Sequence, residues 1–391
     1  MSMFKMASAL ARRRTVRPCA PTLARFAQEV RPAVARVAER DERLRDLAAS
    51  FPALLHRLAV EPNAARSARA VEIVRAGGSL KAAASVAGTP FWTRRLPPEA
   101  FGETSPELPG GAIFSIRVAN ALPRSPSVSA AWLSAVAEAA RWGEDADAIW
   151  AARESADPEG LTPEEARLVA LHAWYARRPD VQGGALAGGR WSTAVRRQAA
   201  LERARTWLER IEAYLALGDE SVDPWLETGA VDGFDFVALA DREALEAEGQ
   251  AMRNCVRTYA CYVARDYERL FSVRREGRRV ATLSVRFIDE APFPQIDELK
   301  GPENAAAPPE VWFAARRWIS VQSPPRPEAK PWSVPIDDRA RWSALWTPWW
   351  LARRSLPLEL PLRPNDEALR ALYAFRPHRK QRRRRQRRQR A

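Results

Sequence analysis

Near Asp266 the hydrophobic period of this chain changes from 3.6 residues to 2, and few architectures accommodate such a switch. Upstream, apolar residues recur at spacings of three and four; downstream, Ala281, Leu283, Val285 and Phe287 alternate with Thr282, Ser284 and Arg286. The first spacing lays an apolar stripe along a helix, and the second makes a strand with one face buried. Residues 270–275 precede this strand and Glu276-Gly277 supplies a tight turn, so the two form a β-hairpin. Residues 293–299 add a third strand, and Pro308-Pro309 opens a helix through Trp318. The expected class is α+β: a mostly helical N-terminal region, then a small α+β domain with an antiparallel hairpin or three-stranded meander and flanking helices.

The helical region spans 21–218. Leu44, Leu47, Ala48, Phe51, Leu54, Leu55 and Leu58 form one stripe around Pro52. Thr162-Pro163-Glu164-Glu165 places a hydroxyl cap, a proline and a returning carboxylate at one helix start, the pattern of a capping box. After Gly183-Gly184 and Gly188-Gly189, residues 191–217 read as one long amphipathic helix. Residues 219–233 are polar and turn-rich, and the main boundary is expected there. Asp241 caps a short helix ending near Gly249, and 251–266 read as a second helix with Met252, Cys255, Val256, Tyr259, Tyr262 and Val263 on one face. The expected divisions are a disordered basic arm at 1–20, the helical region, an α+β domain at 234–322, a Pro/Trp-rich segment at 323–375 and a disordered Arg-rich tail at 376–391.

The formal charge of +14 is unevenly spread. Residues 376–391 hold ten Arg or Lys and no acid, which leaves 52 basic against 48 acidic residues elsewhere. Arg379, Lys380, Arg382, Arg383, Arg384, Arg385, Arg387, Arg388 and Arg390 are the candidate nucleic-acid contacts, since guanidinium forks bind phosphate without reading sequence. Only five of the 62 basic residues are Lys, so coding bias is the competing account of this tail. A second candidate lies at 69–96, where a short Ala-rich helix, the Gly88 turn and Thr93-Arg94-Arg95 resemble a helix-turn-helix. Trp342, Trp346, Trp349 and Trp350 could stack bases or pack as core.

Three cysteines without a C-x-x-C fit reduced thiols and a cytoplasmic setting. No run of apolar residues approaches membrane-spanning length, so no membrane partner is expected. Cys255 is either a small core residue or a thiolate favoured by Arg253 and Arg257. A thiol nucleophile needs a base, and the three histidines, His56, His172 and His378, lie outside 234–322. No zinc-type ligand spacing is present, and neither a metal, a cofactor nor a catalytic set is expected. The candidate pocket is Cys255, Tyr259, Gln295 and Asn304, with Lys300-Gly301 as one wall.

The order Glu248-Gly249, then Cys255-Val256, Tyr259, a hairpin containing Thr282, and finally Gln295, Gly301 and Asn304 resembles the PcfJ-like domain family. The resemblance covers about 234–322, and Asn254 stands where that family often has His. It implies a setting among mobile elements or plasmid transfer and no established reaction. The expected function is therefore that of a non-catalytic, DNA-associated accessory protein of a mobile genetic element. In that reading the tail binds nucleic acid, the α+β domain binds a partner or ligand, and DNA-transfer proteins are possible partners. An enzyme with its site around Cys255, Tyr259, Gln295 and Asn304 is the alternative, and a scaffold acting through the helical region is the third reading.

Overall fold

A computed structural model describes residues 20–288, 291–332, 339–354, 356 and 370. The basic arm and Cys19 lie outside the described residues, as do the Arg-rich tail and most of 355–375. The chain divides into two units, Met1–Trp174 with Ser192–Ala199, and Tyr175–Trp191 with Ala200–Ala391. It is α+β, with helices first and a small antiparallel sheet afterwards. No described helix is long and apolar enough to cross a membrane.

The first unit is helical. Its opening stripe packs as the spacing requires: Leu44, Leu47, Phe51, Leu54, Leu55 and Leu58 are all buried along the helices Glu42–Ser50 and Pro52–Val60. Asp41 caps the first through the Arg43 N–H at 2.8 Å, and Pro52 starts the second where its missing N–H costs nothing. The capping box forms as well. Thr162 Oγ1 accepts from the Glu165 N–H at 3.2 Å, and Glu165 Oε2 accepts from the Thr162 N–H at 3.1 Å.

The helix-turn-helix expectation fails at its second element. Gly88 is left-handed as the turn requires, but residues Phe91–Arg95 form a 3-10 helix of five residues rather than a reading helix. Thr93 is buried with its hydroxyl donated to the Pro90 carbonyl, while Arg94 and Arg95 donate to the carbonyls of Ser50 and Ala119. The two arginines satisfy carbonyls at the ends of helices rather than present a row of free donors.

The second unit centres on a five-stranded antiparallel meander: β1 (Gly229–Val231), β2 (Phe234–Ala238), β3 (Arg269–Arg275), β4 (Arg278–Arg286) and β5 (Gln295–Lys300), in that spatial order. The expected hairpin is β3–β4, and both its turn residues, Glu276 and Gly277, have positive φ. This mirror-image turn matches the twist of the strands it joins. The stretch read as a connection contains β1, and a second such turn at its end, Asp232-Gly233, leads into β2. Third-strand pairing begins at Gln295 rather than at Phe293, which is exposed.

Helices cover both faces of this sheet. On one, Phe236, Phe271, Val273, Ala281, Leu283 and Val285 meet the helix Pro309–Ser320. Trp318 stacks on Phe236 with centroids 4.5 Å apart and meets Phe271 edge-on at 4.8 Å. On the other face, Leu270 packs with Ala213, Leu217, Leu245, Val256, Ala260 and Val263. Thr282 and Ser284 also point to that second face and are buried, so β4 is covered on both sides rather than half-buried. The long helix, which starts at Arg197 rather than at Trp191, thus belongs to the sheet's packing through its last turns.

The helix Arg339–Arg353 buries Trp342, Trp346, Trp349 and Trp350. Tyr175 donates its hydroxyl to the Leu345 carbonyl at 2.8 Å and stacks near Trp349 and Trp207. Burial holds that phenol well above its ordinary pKa. The tryptophans are core, which removes them as a base-stacking platform.

Candidate functional site

The expected helix through 251–266 does not form, and the cleft owes its existence to that break. The helix Arg242–Met252, capped by Asp241 through the Ala244 N–H at 2.7 Å, stops where Arg253 turns left-handed at φ 50°. A 3-10 turn (Val256–Tyr259) and a short helix (Ala260–Ala264) follow at a new angle. Met252, Val256 and Val263 keep their buried positions, but Cys255 is exposed. The core reading of Cys255 is therefore overturned: its thiol stands on the rim of a cleft over the second face of the sheet.

That cleft is shallow, enclosing about 30 Å³ before it opens to solvent. Cys255 and Tyr259 line one side, Thr282 and Ser284 the floor, and Glu298, Lys300 and Asn304 the other side. Three of the four expected pocket residues, Cys255, Tyr259 and Asn304, thus converge. Gln295 does not; it sits at the exposed start of β5, opposite Arg286. Sequence reasoning missed Thr282, Ser284 and Glu298 as lining residues, although period-2 spacing puts Thr282 with Ser284, and Glu298 with Lys300, on one face. Lys300 was expected as a wall and is one.

Beneath the floor lies a polar network that the sequence did not announce. Glu248 is fully buried. Its Oε1 accepts the Thr282 hydroxyl at 2.9 Å and its Oε2 accepts Arg279 Nε at 2.8 Å. Thr282 Oγ1 in turn accepts from Asn254 Nδ2 at 2.9 Å, while Asn254 Oδ1 accepts the Val256 N–H at 3.3 Å. Each of these groups is satisfied, which is what permits a carboxylate at such depth. Gly249 lets the helix approach this turn, since a Cβ there would sit 3.3 Å from side-chain carbons of Val256 and Arg257. The resemblance pointed to Glu248, Gly249, Val256 and Thr282; their physical task is to build this floor.

The Ser284 end of the cleft is anionic. Ser284 donates to Glu268 Oε2 at 3.1 Å, and Tyr259 donates to Glu298 Oε2 at 3.2 Å. Burial raises the Glu268 carboxyl above its ordinary range, with Asp297 and Glu298 adding to the effect and Ser284 opposing it. The Tyr259 phenol is likewise pushed up, by burial first and then by Glu298. A phenol so held stays protonated and makes a poor base.

The rim is conformationally strained. Arg253, Glu303 and Asn304 are all left-handed without being glycine, and Arg253 pairs with Glu303 at 2.7 Å. Such residues persist where surrounding structure fixes them, often around functional sites. Beside the cleft, Tyr259 tilts against Tyr262, which meets Trp332 edge-on at 5.2 Å. The Pro-rich segment carrying Trp332 is pinned by Lys330 N–H to the Arg265 carbonyl at 2.8 Å and by Arg265 to the Pro331 carbonyl at 2.6 Å.

Among the described residues no cluster of three His, Cys, Asp or Glu could hold a metal ion. His56 and His172 belong to the first unit, and no imidazole lines the cleft among the described residues. Compared with known proteins, the chain matches no family model, no curated protein and no solved structure.

Proposed function

We propose that the sheet domain is a ligand-binding module within a nucleic-acid-associated accessory protein of a mobile element, acting by binding rather than catalysis. One observation carries the binding reading: polar side chains from 254–259, β4, β5 and 304 meet over a floor whose buried groups are already satisfied. A satisfied floor leaves the lining free to recognise something else. The nucleic-acid part rests on the ten basic residues of 376–391, and the mobile-element setting on the PcfJ-like order of residues.

The test uses the full chain. Small molecules found to bind by ligand-observed NMR are re-measured after Cys255 has been coupled to a bulky maleimide. Binding lost on coupling supports the reading; binding untouched by a plug at the rim sinks it. In parallel, DNA affinity across a salt series is compared with that of a chain lacking 379–390, whose loss of affinity and salt slope supports the tail's role.

The exposed Cys255 thiol favours one second reading, a thiol enzyme at the same cleft. It lacks an imidazole base among the lining residues. A Cys255→Ser chain that binds its ligand normally but loses a turnover shown by the native chain would establish this reading instead.

A further inference from the structure

We infer that the cleft takes a small zwitterion, with its cationic nitrogen against Ser284, Tyr259 and Glu298 and its anionic group at Lys300. This rests on the binding reading above and adds the class of ligand.

The argument starts from strand register. In the β4–β5 ladder Ser284 faces Glu298 and Thr282 faces Lys300. Directly opposed residues of an antiparallel pair share a face, so all four side chains point into the cleft. Glu298 and Lys300 are two residues apart, which puts their Cα atoms about 7 Å apart along the strand. Opposite charges at that spacing could reach one another, yet neither forms an ion pair among the described residues. The neighbouring charges are used up in pairs: Arg279 with Glu248, Arg286 with Asp297 and Arg253 with Glu303. An exposed carboxylate that holds only the Tyr259 hydroxyl and a half-buried ammonium thus face the same cleft.

The direction of the hydroxyl protons adds polarity. Ser284 and Tyr259 give theirs to Glu268 and Glu298, so toward the cleft both oxygens offer only lone pairs. That end accepts hydrogen bonds, which suits N–H donors on a cation. Burial and mutual repulsion already hold the Glu268 carboxyl up, and a bound cation would relieve that repulsion. At the other end stand Lys300 and the Asn304 amide, donors for a carboxylate or phosphate. A purely cationic ligand would leave Lys300 unmatched, and a purely anionic one would leave Glu298 and its acceptors unmatched.

Three probes with the same four-carbon chain separate these cases on the native full-length chain: 4-aminobutyrate, n-butylammonium and butyrate, titrated by calorimetry or NMR. The expected result is that 4-aminobutyrate binds at least about tenfold more tightly than either singly charged probe, the effect of one added charge-assisted contact. Glu298→Gln should remove its advantage over butyrate, and Lys300→Met its advantage over butylammonium. Equal binding by a singly charged probe, or no binding by any of the three, overturns the inference. If maleimide on Cys255 blocks some other ligand while the three probes fail, the binding reading stands and only the zwitterion falls. If the plug changes nothing for any ligand, the binding reading itself falls.

Discussion

Thr282 is the residue on which the cleft floor turns, because its hydroxyl both donates to Glu248 and accepts from Asn254. Replacing it by Val keeps the shape and removes both contacts, leaving a buried carboxylate and amide short of partners. The expected loss is about 1–3 kcal/mol in urea unfolding, with Thr282→Ser retaining most of the stability; equal losses for both would show that the methyl group, not the hydroxyl, matters. The two described cysteines should differ in alkylation of the native protein. Cys255 is exposed, whereas burial and then Glu212 raise the Cys261 thiol, so iodoacetamide near neutral pH should label Cys255 first, as read by site-resolved mass spectrometry. His56 gives a pH dependence in the other unit. Its Nε2–H donates to the Gly102 carbonyl at 2.6 Å, and burial is the main cause of its lowered pKa. A base with a depressed folded value contributes fully above its unfolded value of about 6.5, and that contribution is lost as pH falls through the folded value. Thermal midpoints should therefore drop more steeply below about pH 6.5 in the native protein than in His56→Gln.

At the scale of elements, what the sequence made legible followed from period and punctuation. The β3–β4 hairpin, the Thr162 capping box and the Asp241 cap each depend on neighbours in sequence, and each forms as expected. β1 is legible too: Asp232-Gly233 lies between Gly229–Val231 and Phe234–Ala238, and Asp-Gly is a strong hairpin turn. The break after Met252 was not legible. Arg253 takes a left-handed conformation where glycine is usual, and only the packing of Val256 and Asn254 against the sheet explains it. The same break moved Cys255 outward, which is why helical periodicity misplaced it. The fate of Thr282 and Ser284 likewise depended on a layer arriving from Glu248 and Glu268, distant in sequence. On the opposite face, Trp318 fills the space between Phe236 and Phe271. Trp318→Ala should cost about 3–5 kcal/mol, measured by denaturant midpoint; a loss below about 1 kcal/mol would mean that this face can collapse onto the gap.

For the whole molecule, the sheet's strand order equals its sequence order, every neighbour joined antiparallel to the next. The consequence is kinetic. No strand must wait for a partner from the far end of the chain, so the entropy of closing each loop is spent in small steps. The longest wait is for β3 to find β2, because the Glu248 helix and the turn bearing Cys255 lie between them. Refolding of the sheet, followed by pulsed hydrogen-exchange labelling of its amides, should thus be slowed by substitutions that loosen this insert, such as Leu245→Ala, more than by equally destabilising ones in β1. Closing the β2–β3 pair requires the insert to fold back across the sheet, and that movement carries Cys255 and Tyr259 over Thr282 and Ser284. The order of assembly therefore makes the cleft a late product of folding, complete only after the slowest pairing has closed beneath it.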